Sequence, residues 1–193
     1  MIQTGDSLEH PTTRLRLVFR KTAQETAGEA VVFEAFLPPN GRRALAHVHP
    51  AQEERVQVLR GSIRARIGSD TTVAGPGDEL KVPAGTAHRL WNAGDGTAHL
   101  VCELRPALRL ESLVEALFAL AAGGRANRRN VRYLLGVATI AAAHSDTVRL
   151  PFPPATVQRI ALGLCGAAGK AIGYRPAGAL RLADHKQPEG GNQ

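Results

Sequence analysis

Two short segments dominate what this chain can become. The first reads Gly41-x5-His47-x-His49-x4-Glu54-x6-Gly61, and the second reads Gly77-x5-Pro83-x-Gly85-x2-His88-x3-Asn92. Alternate side chains of a strand share a face. His47 and His49 therefore point one way on their strand, and His88, Leu90 and Asn92 share a face on theirs. Neutral imidazole and carboxylate together hold first-row divalent metals and leave coordination positions for a ligand. The spacing thus points to one metal ion inside a β-barrel. Glu53 and Glu54 compete for the carboxylate position, and periodicity selects between them. Glu54 shares its face with Val56 and Val58, which suits an apolar interior, whereas Glu53 shares its face with Arg55 and Gln57, which suits solvent.

The chain around these segments reads as short strands with turn punctuation. Leu15, Leu17 and Phe19 alternate with Arg14, Arg16, Val18 and Arg20. Val31 to Leu37 is strand-like and stops at Pro38-Pro39-Asn40-Gly41, a strong turn signal. Ile63, Ala65 and Ile67 alternate with Arg64 and Arg66, which places those arginines outside. Leu80 and Val82 flank Lys81, and Pro83 stops that run. Gly61, Gly77 and Gly85 fall at turns where a positive φ is expected. His99 to Leu104 closes the series. Many short strands at regular spacing indicate a sandwich or barrel over residues 15–106.

After Pro106 the period changes to that of helices. Leu110, Leu113, Val114, Leu117, Phe118, Leu120 and Ala121 predict a helix over Leu108–Ala122, ended by Gly123-Gly124. Asn127 or Asn130 is placed to cap a second helix carrying Val131, Leu134, Leu135, Val137, Ala138 and Ile140. Pro151-Phe152-Pro153-Pro154 breaks the chain before a third helix over Ala155–Gly173. Residues 107–174 therefore form a helical extension that packs on the barrel or on a dimer partner. Residues 1–14 and 175–193 are polar and expected to be loose.

Composition narrows the function. The net charge is +7, almost wholly from Arg, and a hydrophobic fraction of 44% is ample for a core. Aromatics are too scarce, at 4%, to interleave with the basic residues and stack on bases. The cluster Arg125, Arg128, Arg129 and Arg132 reads as a solvated face, and the Ala- and Leu-rich helices contain no polar recognition helix. No nucleic-acid partner is expected. Cys102 and Cys165 lie far apart and read as buried thiols. Neither a signal segment nor a run of the ~20 apolar residues that span a bilayer is evident, so a cytoplasmic protein without a membrane partner is expected. Gly163 to Ala171 fails as a phosphate loop because Ala171 stands where Ser or Thr is needed. His144, Ser145 and Asp146 are adjacent, which is poor geometry for a catalytic triad. His10, His99 and His185 have no partner spacing.

Both histidine-bearing segments resemble the two conserved motifs of the cupin superfamily, matched at every position. The fifteen residues between Gly61 and Gly77 resemble the compact spacing of single-domain bacterial cupins. The resemblance implies a mainly β fold, a double-stranded β-helix or jelly-roll barrel, followed here by C-terminal α-helices. It implies His47, His49, Glu54 and His88 as ligands of one divalent transition metal, drawn from Fe, Mn, Zn, Ni, Co or Cu. Such a centre suits a small-molecule enzyme of oxygenase or dioxygenase type, with a moderately hydrophobic ligand in the barrel. A non-redox isomerase or cyclase, and a non-catalytic ligand-binding cupin, are the alternatives. Glu54 is the candidate proton acceptor, Trp91 and Asn92 are candidates for shaping the site, and no other catalytic residue is legible. A homodimer is the expected assembly.

Overall fold

The computed structural model describes residues 1–39, 45–125, 131–154, 156–158 and 160. Gly41, the two candidate capping asparagines, Cys165, His185, the glycine-rich segment 163–171 and the tail from Arg175 lie outside the described residues. So do the side chains of the Arg125–Arg132 cluster and all but the first turn of the third helix.

The strands run β1 Ser7–Glu9, β2 Arg16–Lys21, β3 Val31–Leu37, β4 His47–Val48, β5 Glu53–Arg60, β6 Ile63–Ile67, β7 Asp70–Ala74, β8 Glu79–Val82, β9 Ala87–Asn92 and β10 Ala98–Arg105. They form two antiparallel sheets, ordered β1-β2-β3-β10-β5-β8 and β4-β9-β6-β7. This is the expected jelly-roll barrel, followed by helices. Sequence neighbours are seldom sheet neighbours here: β3 and β5 both flank β10. In the other sheet the same kind of crossover pairs β4 with β9 and sets the two histidine-bearing segments side by side.

Period-two patterning explains the sheets. Val31, Phe33 and Ala35 of β3, Val56 and Val58 of β5, Ile63 and Ala65 of β6, and Leu100, Cys102 and Leu104 of β10 are all buried. Arg64 and Arg66 face outward as their spacing requires. In β2 the alternation fails at Val18, which is buried despite sharing a face with arginines. A register irregularity follows between Phe19 and Lys21.

The N-terminal segment, expected to be loose, is part of the barrel. β1 pairs with β2 in the register Leu8↔Leu17, the Gly5 amide donates to the Phe19 carbonyl at 2.8 Å, and Ile2 joins the core. The physical reason is the edge. β2 would otherwise present unpaired backbone groups along its outer side, and even a three-residue strand satisfies them.

Two helices are described in full, α1 Leu110–Leu120 and α2 Val131–Ala143, with a π-helical turn Ala121–Arg125 after the first. α1 begins later than its apolar period suggested because Leu108 has φ +48°, outside the helical region. Leu110 and Leu113 are buried in the core, and Ile140 of α2 joins them. Among the described residues of the extension, α1 and α2 therefore pack on the barrel of their own chain.

Gly61 is the glycine most constrained by its surroundings. Its φ is +78°, and a Cβ there would lie 2.9 Å from the Ala98 Cα. Gly61→Ala is expected to lower stability by about 2 kcal/mol, read as a fall in thermal midpoint. Gly75→Ala, where a Cβ meets nothing within 4 Å, is expected to leave the midpoint nearly unchanged.

Candidate metal centre

The centre lies between the two sheets. β4 and β9 pair antiparallel with His47 opposite His88, and His49 follows directly after β4. Glu54 comes from β5 in the other sheet, flanked by Leu104 of β10 and Val82 of β8. One ligand atom from each of His47, His49, Glu54 and His88 lies within 4.8 Å of the others. His49, Glu54 and His88 are buried and His47 is half-buried, so the cluster reaches solvent on the His47 side.

The choice between adjacent glutamates follows the strand. Glu54 is buried with Val56 and Val58. Glu53 faces out and pairs with Arg55 and Lys81, each at 2.9 Å.

All three imidazoles are oriented by backbone carbonyls. His47 Nδ1 lies 3.0 Å from the Leu45 carbonyl, His49 Nδ1 2.8 Å from that of Thr147, and His88 Nδ1 3.0 Å from that of Thr86. A carbonyl can only accept, so each Nδ1 carries the hydrogen and each Nε2 is left with a lone pair. The consequence is sharpest at His88. Its Nε2 stands 2.8 Å from Glu54 Oε2, yet both atoms are buried without a hydrogen-bond partner. Two lone pairs at that distance repel unless a cation, proton or metal, lies against both. The donor set, with its fixed tautomers, fits a divalent transition metal held by His47, His49, Glu54 and His88.

Electrostatics favour the ligand-competent forms of most members. Burial, reinforced by the neighbouring imidazoles, pushes His47 down to about 4. Burial also lowers His49, although Glu54 and the adjacent Gln52 draw it partly back. Burial alone would raise Glu54, but a proton shared with His88, together with the charges of the three imidazoles, outweighs it and holds the carboxyl below its ordinary range. His88 is the exception. Burial lowers it, yet the proton it can share with Glu54 and that residue's charge bring it out above its ordinary value.

Two participants have no signature in the sequence. Gln52 is fully buried, its amide donates to the Pro106 and Ala107 carbonyls at 2.8 and 3.0 Å, and its Oε1 has no partner. Thr147 acts through its backbone carbonyl, which any residue type would supply. Asn92, a candidate for shaping the site, instead stitches a turn: its amide donates to the Leu37 and Gly96 carbonyls and its Oδ1 accepts from the Gly94 amide. The Trp91 ring lies on the opposite face of β9 with the Arg89 guanidinium 5.1 Å from its centre. His144 and Asp146 are structural, bound to Ser112 and Arg109 respectively. Cys102 is buried, which pushes its thiol well up, with the Glu54 charge adding to the effect. No helix among the described residues is long and apolar enough to cross a membrane.

Residues 33–102 match the family described as Cupin domain. With the two-sheet topology this match identifies residues 33–102 as a cupin domain. No curated protein matches it in sequence. Among solved structures, a predicted oxalate decarboxylase of Thermotoga maritima is 13% identical with a TM-score of 0.48, covering 55% of this chain and 98% of that one. An RmlC-like cupin of Shewanella frigidimarina is 14% identical with a TM-score of 0.46, covering 53% and 85%. An oxalate oxidase is 20% identical with a TM-score of 0.43, covering 50% and 53%, so the match spans about half the length of that chain.

Removing the carboxylate tests the ligand set. Glu54→Gln is expected to lose most of the bound metal on dialysis while Glu53→Gln keeps it, measured by elemental analysis of equal protein amounts. Metal binding is also expected to depend on pH through His88. Its raised pKa makes it the ligand whose proton the metal must displace, whereas His47 and Glu54 are already unprotonated near neutrality. Apparent affinity should rise about tenfold per pH unit up to the His88 pKa, which lies above the ordinary imidazole value, and level off beyond it. Calorimetric titration across pH 5 to 9 checks the slope.

Proposed function

We propose that the protein is a metal-dependent enzyme of oxygenase type, acting on a small organic molecule that binds through oxygen at a mononuclear centre of His47, His49, Glu54 and His88. The observation that carries this reading is the convergence of three Nε2 lone pairs and a carboxylate oxygen within 4.8 Å, inside a barrel. A redox-active divalent metal, when bound, supplies Lewis acidity and electron transfer. The side chains do the rest. Three neutral imidazoles and one carboxylate leave a divalent centre with a net charge of +1, which favours an anionic oxygen ligand such as a carboxylate or enolate. Inward-facing Val56, Val82, Cys102 and Leu104 keep the surroundings of Glu54 apolar, which favours an organic body on that ligand. Glu54 is placed to accept a proton as the ligand binds.

Elemental analysis of protein purified without added metal, followed by oxygen-electrode assays with small carboxylates, enols and catechols, tests the proposal. Stoichiometric Fe, Mn, Cu, Ni or Co with oxygen uptake abolished in His88→Ala is the expected result. A full zinc site with turnover but no oxygen dependence would move the reading to an isomerase or cyclase. Ligand binding without turnover would leave a binding protein.

A further inference from the structure

The segment that follows α2 is built into the metal centre. Thr147 is fully buried, and its carbonyl accepts the hydrogen bond from His49 Nδ1 across 98 residues of chain. Two residues on, Arg149 pairs with β4: the Val48 amide donates to the Arg149 carbonyl at 2.8 Å, and the Arg149 amide donates to the Val48 carbonyl at 2.9 Å. Val48 stands between the first two histidines. The segment is fastened at its other end to the start of α1. Arg109 Nη2 donates to Asp146 Oδ1 at 2.7 Å, and Ser112 Oγ lies 2.9 Å from His144 Nε2. The Thr147 and Val148 amides both donate to the His144 carbonyl, at 2.9 and 3.0 Å, which fixes the turn that presents the Thr147 carbonyl.

We propose that residues 144–149 position a metal ligand, so that metal occupancy and docking of this segment on β4 are thermodynamically linked. The proposal rests on the reading of His49 as a ligand. His47 and His88 take their acceptors from carbonyls two residues away on their own chain segments. His49 alone of the three depends on a distant one. Without Thr147, the His49 ring can rotate, and its hydrogen can move to Nε2, the nitrogen whose lone pair the metal needs. Loss of such an outer acceptor weakens metal binding by roughly 10- to 100-fold. Linkage makes the effect reciprocal: whatever docking adds to metal affinity, the metal returns to docking. The segment after α2 is thereby part of the centre, although none of the described residues of the helical extension is a ligand.

The test uses the full chain. Cobalt(II) affinity is measured by competition with a chromophoric chelator for the unsubstituted protein, for Arg149→Pro, which deletes the amide bonded to Val48, and for Asp146→Ala, which frees the tether to Arg109. Hydrogen exchange of the Val48 and Arg149 amides is followed with and without cobalt, and the His49 ring nitrogens are read by 15N NMR. The expected results are affinity at least tenfold weaker in Arg149→Pro, a smaller loss in Asp146→Ala, slowed exchange of both amides on cobalt addition, and a His49 tautomer that becomes mixed in the cobalt-free variants. If Arg149→Pro does not fold, Asp146→Ala and the exchange data on the unsubstituted chain decide. Affinity within twofold of the unsubstituted protein in a folded variant, or bridge amides indifferent to cobalt, overturns the linkage alone. Failure of the unsubstituted chain to bind cobalt overturns both the linkage and the ligand reading beneath it.

Discussion

A buried imidazole nitrogen and a buried carboxylate oxygen, 2.8 Å apart with no hydrogen between them when His88 carries its own on Nδ1, make the contact on which the interior of this barrel depends. Such a pair is costly to bury unless a positive charge lies against it. The rest of the structure works to keep it in place. Backbone carbonyls hold the three Nδ1 hydrogens outward, and the apolar rows of β5 and β10 exclude water from behind Glu54. The result is a buried donor cluster with a strong preference for a cation.

The barrel and its helical extension share this centre. Gln52 ties the loop between the histidines and Glu54 to Pro106 and Ala107, where the chain leaves the barrel. Thr147 and Arg149 tie β4 to the segment where the chain returns from α2. Helices whose apolar stripe packs on the core contribute hydrophobic stability at a distance, but their two ends also fix the loop and strand that carry His49. A short strand such as β4 has few ladder hydrogen bonds of its own, so the added bridge to Arg149 is a large part of what holds it.

Much of the fold was legible because period-two patterning carries strong information wherever one face is buried. The inward rows Ile63 and Ala65, or Val56 and Val58, could be read directly, and the same periodicity separated Glu54 from Glu53. It failed where a feature depends on the backbone or on an edge. The polar composition of residues 1–14 gave no sign of β1, because an edge strand is recruited by the unpaired backbone of its neighbour rather than by its own side chains. Val18 is buried although it lies in regular register between Ser7 and Glu34, so alternation along β2 did not decide its exposure.

The order and spacing of His47, His49, Glu54 and His88 marked these four as candidate ligands, and their resemblance to the cupin motifs implied the kind of fold that would join them. Local geometry contributed the faces, because alternation within each strand sets where a side chain points. Tertiary structure alone decided which nitrogen of each imidazole is free, that Gln52 and Thr147 belong to the centre, and that the helical extension clasps the strand bearing two of the ligands. Those features rest on carbonyl groups and on contacts between distant segments. Every residue has the same carbonyl, so nothing in the order of residue types announces which one a histidine will find.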